Sequence, residues 1–142
     1  MPYKFVEGVA MADVAFEATG KTLEELFESA GRALTNSMIE NPEKIEAKET
    51  VTFCLKSTTE EKLLHNFLSE IVFYKDAEML IFSKYELKFS KKREEIILEA
   101  SLKGEKIDNK KHHMIVDVKA VSWHMYKVEK TDAWKAFAIL DV

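Results

Sequence analysis

Two acids bracket the chain at places where a carboxylate could do chemistry. Asp13 opens the segment Val14-Ala15-Phe16, and Asp141 closes the apolar run Ala138-Ile139-Leu140. Carboxylate oxygens suit a hard divalent cation such as Ca2+ or Mg2+, which takes oxygen ligands at roughly 2.0–2.6 Å. If the first and last strands of the fold bring the two acids together, they share such an ion, with Val142 adding a main-chain or terminal oxygen, or they repel until one is protonated. An acid ending an apolar strand with no partner is simply exposed.

The four histidines add less. His65 follows Leu63-Leu64 and reads as a boundary residue of a helix. His112 and His113 are adjacent, and neighbours in an extended chain point in opposite directions, which makes joint ligation of a metal unnatural. His124 has Ser122 two residues away but no Asp at a spacing that fixes a relay. There is no CxxC, HExxH, G-x-S-x-G or glycine-rich phosphate loop, and only four glycines from which to build one. From residue types alone, the enzyme reading is a small metal-dependent hydrolase or nucleic-acid-processing enzyme using Asp13, Asp141 and His124.

The elements that must position these groups alternate clearly. Residues 3–6 predict a short edge strand, and Val14, Phe16 and Ala18 a second that ends at Gly20. Thr22 and Glu25 have capping-box spacing ahead of a helical stripe, Leu23, Leu26, Phe27, Ala30 and Leu34, running to about Met38. Val51, Phe53 and Leu55 predict a strand. Thr58 and Glu61 then repeat the capping spacing before a second stripe through Leu64, Phe67, Leu68, Ile71 and Val72, ending near Tyr74. LIFSKYELKF, the turn SKKREE and the alternation Ile96, Leu98, Ala100, Leu102 make an antiparallel pair. A loop over 104–113 leads into one long strand, 114–128, with a bulge or bend near Ala120 to Ser122. EKTDA turns the chain, and WKAFAILDV forms the last strand. Each helix has one apolar face to cover a sheet, so Leu26, Phe27, Leu34, Leu64, Phe67 and Ile71 should be buried.

These elements amount to an α+β fold: one compact domain over residues 1–142, with a curved mixed β-sheet and two main amphipathic helices. At 142 residues and 46% apolar the chain suits one core. A single cysteine, Cys54, excludes a disulfide framework and fits a reducing compartment. No run approaches the length of a membrane span, and MPYKFVEGVA lacks the pattern of a secretory signal, so the expected location is the cytoplasm. A net charge of −4 gives no global field for nucleic acid, although KGEKIDNKKHH, residues 103–113, is a basic segment that could meet phosphate or remain a solvated loop.

The segments ADVAFEATGKTLEELFESAGRAL, LLHNFLSEIVFYKDAE, KGEKIDNKKHH, VKAVSWHM and the final LDV, in this order, resemble the archease family across nearly the whole chain. The resemblance implies a compact α/β domain carrying an inserted strand-helix-strand-strand module. It also implies a non-catalytic activator of the tRNA-splicing RNA ligase, which joins 2′,3′-cyclic-phosphate or 3′-phosphate ends to 5′-hydroxyl ends. The activator would promote guanylylation and multiple turnover of the ligase, and RNA would be met through the ligase if at all. The family's His-Thr-Ala-Asp motif here reads Ala10, Met11, Ala12 and Asp13, so the acid is kept while the imidazole and hydroxyl are absent. By the same resemblance Asp13, Asp141 and Val142 are metal ligands, and Glu70, Lys119 and His124 are contact or activation residues. The family's Thr-Tyr-His is replaced by Ser122-Trp123-His124.

Overall fold

A computed structural model describes residues 2–7 and 13–142; Ala10, Met11 and Ala12 of the amino-terminal motif lie outside the described residues. Among the described residues, eight strands divide between two sheets. The first contains β1 (Tyr3–Val6), β2 (Val14–Gly20), β6 (Ala120–Val121), β7 (Lys127–Lys130) and β8 (Trp134–Asp141). The second contains β3 (Glu49–Ser57), β4 (Leu80–Lys92) and β5 (Glu95–Lys106), in the order β3-β5-β4. Pairs in both sheets run antiparallel, and each sheet has a side covered by helix. The expected α+β domain with two main helices is therefore what the chain forms, with its strands shared between two sheets. The strand-helix-strand-strand module is β3, the helix α2 (Glu60–Glu78), β4 and β5, placed between α1 (Leu23–Met38) and β6.

Both helices start where a threonine hydroxyl replaces a missing backbone acceptor. Thr22 Oγ1 accepts from the Glu25 N–H at 3.2 Å, and the Glu25 carboxylate accepts from the Lys21 N–H at 2.6 Å. For α2 the cap is Thr59, which accepts from the Lys62 N–H, and not Thr58 as the capping spacing predicts. The helix also runs one turn beyond Tyr74, to Glu78, where Met79 closes it in a left-handed conformation with φ 56°. None of the described helices is long and apolar enough to cross a membrane.

The two helical stripes meet in one core that also takes in both sheets. Leu26, Phe27, Leu34, Leu64 and Phe67 are fully buried and Ile71 is 1% exposed, as the periodicity predicts. Phe27 touches Phe67 and Phe89, and Phe53 stacks near Tyr74, so aromatic contacts tie α1, α2 and the second sheet together. At the end of that sheet, a Cβ on Gly104 would lie 1.8 Å from the Ile81 carbonyl oxygen. Only glycine permits this approach, beside the β4 bulge between Phe82 and Lys84. The basic segment consequently begins as strand, and its loop is confined to residues 107–113.

The long strand expected over 114–128 is broken. Met114 makes an isolated bridge to Ile39, residues 115–119 are irregular, and pairing resumes only in β6 and β7. Val121 faces Leu140 and Lys127 faces Phe137, so five residues, 122–126, stand opposite two, 138 and 139. The surplus is expelled as a turn in which Met125 adopts φ 58°. This excursion is the physical cause of the interrupted alternation near Ser122.

Candidate functional site

The β2–β8 ladder does the positioning that one-dimensional spacing could not. Its register runs from Gly20 opposite Trp134 to Val14 opposite Leu140. Asp13 immediately precedes the last pair on one strand and Asp141 immediately follows it on the other, so both acids flank the same ladder end. Asp13 is exposed and Asp141 is half-buried; among the described residues neither has a salt bridge. Val142, half-buried, packs against the core. Carboxylate oxygens are the donors a hard cation takes, and the register sets the two residues that carry them at one ladder end. Among the described residues no group of three His, Cys, Asp or Glu side chains gathers to hold a metal, so His124 does not join the two acids in such a group.

Lys119 reaches the same corner through its backbone. Its N–H donates to the Asp141 carbonyl at 2.8 Å, and Ala120 pairs with Asp141. The irregular approach to this point is held from α2 by Lys75, a lysine only 5% exposed. Its ammonium donates to Asp76, Asp117 and, at 2.7 Å, the Val118 carbonyl. Burial weighs against that charge, and the hydrogen bonds and attraction of the two carboxylates outweigh it, leaving the Lys75 pKa above the ordinary lysine value. Asp117 and Lys119, alternating charges in the sequence, thus have separate jobs: one is anchored to the helix and the other is exposed.

Among the described residues, no hydrogen bond or salt bridge ties Glu70 or His124 to this corner. His124 is exposed in the expelled turn, its N–H bound to Ser122 Oγ at 3.0 Å. Glu70 is half-buried on the α2 row shared with Tyr74 and Glu78, where its charge raises the Tyr74 pKa behind the larger effect of burial. Neither lines the groove beside Lys119, which is formed by His65, Ser69, Val72, Phe73, Asp76, Ala120 and Val121.

His65 is more than a helix-boundary residue. Its ring stacks on Trp123 with centroids 3.5 Å apart and planes 6° from parallel, and Tyr126 meets both rings edge-on. Nε2 lies 2.9 Å from the Val121 carbonyl and must carry the proton that this oxygen accepts. Burial pushes the imidazole pKa below its usual value, an effect only partly opposed by that hydrogen bond. The Tyr126 hydroxyl donates to the Glu61 carbonyl at 2.6 Å. The sequence signal for this assembly was the pair of aromatics three residues apart, Trp123 and Tyr126, but nothing in spacing indicated that α2 would offer a histidine between them.

A second charged cluster surrounds Glu105, which is 5% exposed. Its carboxylate accepts from Lys111 Nζ at 2.9 Å, the Glu46 N–H at 2.8 Å and His112 Nε2 at 3.1 Å, while Lys48 lies 3.6 Å away. His112 Nδ1 accepts from the Asp108 N–H, which fixes its proton on Nε2. Burial opposes ionisation of Glu105, but these donors more than offset it and hold the carboxyl down at about 2. Part of the basic segment, Lys111 and His112, therefore serves an internal acid and is not simply a solvated loop.

Comparison with known proteins places this architecture. The sequence model of the Archease protein family (MTH1598/TM1083) matches residues 3–142. The protein archease of Pyrococcus abyssi is 36% identical over 133 residues, covering 92% of this chain and 93% of the relative. That of Methanopyrus kandleri is 33% identical over 143 residues and covers 100% of both. The solution structure of Methanobacterium thermoautotrophicum protein 1598 superposes with a TM-score of 0.85 at 32% identity, covering 99% of each chain. With the family match over residues 3–142 and the structural match over 99% of each chain, the chain belongs to the archease family.

Proposed function

We propose that the chain is a non-catalytic, cytoplasmic activator of the tRNA-splicing RNA ligase, promoting its guanylylation and multiple turnover through the acidic end of the β2–β8 ladder. The observation that carries this reading is the register that sets Asp13 and Asp141 at one ladder end without a compensating salt bridge among the described residues. Family membership is consistent with the activator role, and the two acids are groups that could act on a partner's phosphate chemistry. Asp13 and Asp141, with a main-chain oxygen of Val142, would hold Ca2+ or Mg2+. When bound, such an ion supplies positive charge to phosphate oxygens. The protein's own work is to orient the two carboxylates on paired strands and, through the Lys119 N–H, to fix the backbone of Asp141. An acidic face also suits contact with a basic enzyme surface better than contact with bare RNA.

The test compares the chain alone, its cognate ligase alone and the mixture on RNAs ending in 2′,3′-cyclic phosphate and 5′-hydroxyl. Activation predicts joining and ligase guanylylation that rise only in the mixture. Metal-dependent turnover of RNA by the isolated chain would instead support the hydrolase reading built on Asp13, Asp141 and His124.

A further inference from the structure

Beside the acidic corner is an apolar surface that the activator reading leaves unused. Trp123 is 58% exposed and Phe73 55%, high values for large apolar side chains, and both adjoin His65: Trp123 stacks on its ring and Phe73 lines one groove with it. Trp123 is nevertheless not loosely held: His65 covers one indole face, Tyr126 meets its edge, and Tyr126 is itself anchored on Glu61. The neighbouring groove, of about 280 Å3, is floored by Val72 and Val121 and walled by His65 and Phe73. That size falls just short of the roughly 300–1,000 Å3 of small-molecule pockets and suits a side chain inserted from another protein.

From this geometry we infer that the Trp123–Phe73 surface is a docking site for an apolar, aromatic or aliphatic side chain projecting from the RNA ligase. The inference rests on the activator reading above and names where the two proteins grip each other. Continuity favours the ligase as occupant: Lys119 and Ala120 line the groove, and these residues also bond to Asp141. Docking here would therefore seat a partner against the acidic corner. Charge supports the same choice. Asp76 on the rim is already paired with Lys75, whereas Lys119 has no salt bridge among the described residues, so the rim offers one cation to a carboxylate flanking the inserted side chain. A fixed indole loses little freedom on binding, which is the property of side chains that dominate interfaces.

The experiment measures the Kd of the full chain for the purified cognate ligase by calorimetry, using W123A, F73E and D141N, with thermal unfolding as a check on each. Phe73→Glu replaces an exposed side chain and keeps the test decisive should Trp123→Ala disturb the His65 stack. Docking predicts at least a tenfold rise in Kd for F73E, and for W123A if folded. Wild-type affinity in F73E overturns the docking site, whatever D141N does to activation. Conversely, normal activation by D141N with lost binding in F73E defeats the acidic mechanism and leaves the docking site standing. If F73E and W123A keep the ligase but lose affinity for a single-stranded RNA oligonucleotide, the surface is a base-stacking site and the inference is wrong.

Discussion

The charge around Glu105 and the charge at the end of the β2–β8 ladder are built in opposite ways. Around Glu105 the buried carboxylate meets an ammonium, an imidazole N–H and a backbone N–H, so its charge is consumed in holding the loop 107–113 to β5 and to the segment before β3. At the end of the β2–β8 ladder, Asp13 and Asp141 stand together with no salt bridge among the described residues. A compensated cluster stabilises the fold, and removing a member exposes the others to the cost of an unpaired buried group. Acids without an ion-pair partner add no such stabilisation to the fold, and the role proposed for them is directed at a ligand or partner.

The contrast can be tested from the most disruptive change downward. Phe67→Ala, in the shared core, should cost about 3–5 kcal/mol of stability and reduce ligase activation in proportion, because it acts on the folded population. Chemical denaturation followed by activation assays at matched folded fraction measures both. Glu105→Gln should cost about 1–3 kcal/mol, seen as a lower Tm, and leave activation per folded molecule unchanged. If Glu105→Gln abolished activation without moving Tm, the assignment of the two clusters would have to be exchanged.

A pH titration sharpens the same point. The folded Glu105 carboxyl ionises at about 2, below its ordinary value of 4.5. Its contribution is therefore complete above the unfolded value and is lost as pH falls from about 4.5 towards 2. Wild-type Tm should drop across that window more steeply than the Tm of Glu105→Gln. His65 shifts in the sense that burial dictates, downward from 6.5, so the fold holds it neutral. The unfolded chain then binds the extra proton, and stability should decline as pH falls below 6.5 in the wild type but not in His65→Gln. A smaller effect is expected from Thr59→Ala, about 1 kcal/mol from loss of the α2 cap; the same loss from Thr58→Ala instead would return the cap to the position that sequence spacing favours.

Sequence periodicity revealed most of the scaffold because helices and paired strands repeat one geometric rule. The buried set from Leu26 to Ile71 follows directly from it. It failed where hydrogen bonds leave the ladder. Val118 is fully buried as alternation suggests, yet Ile115 N–H goes to Met38 and Lys119 N–H to Asp141, while Lys75 holds the chain between them from a helix 42 residues away in sequence. Thr58 and Thr59 are chemically equivalent caps, and only the path of the chain leaving β3 selects between them. In the site, the two acids were legible as carboxylates at strand ends, and the register supplied their neighbourhood. The His65–Trp123 stack was not legible, since it joins an α2 face to a turn expelled by a five-against-two mismatch between paired strands.

If Asp13 and Asp141 act outward, on the ligase, and not inward, on the fold, their removal separates activation from stability. This is read from the rate of guanylylation of the cognate ligase with wild type, D13N, D141N and the double variant across Mg2+, Mn2+ and Ca2+ concentrations, alongside their Tm values. The expected result is folded proteins with Tm unchanged or raised and guanylylation reduced to the ligase-alone rate in the double variant. A double variant that folds and activates like the wild type would contradict it.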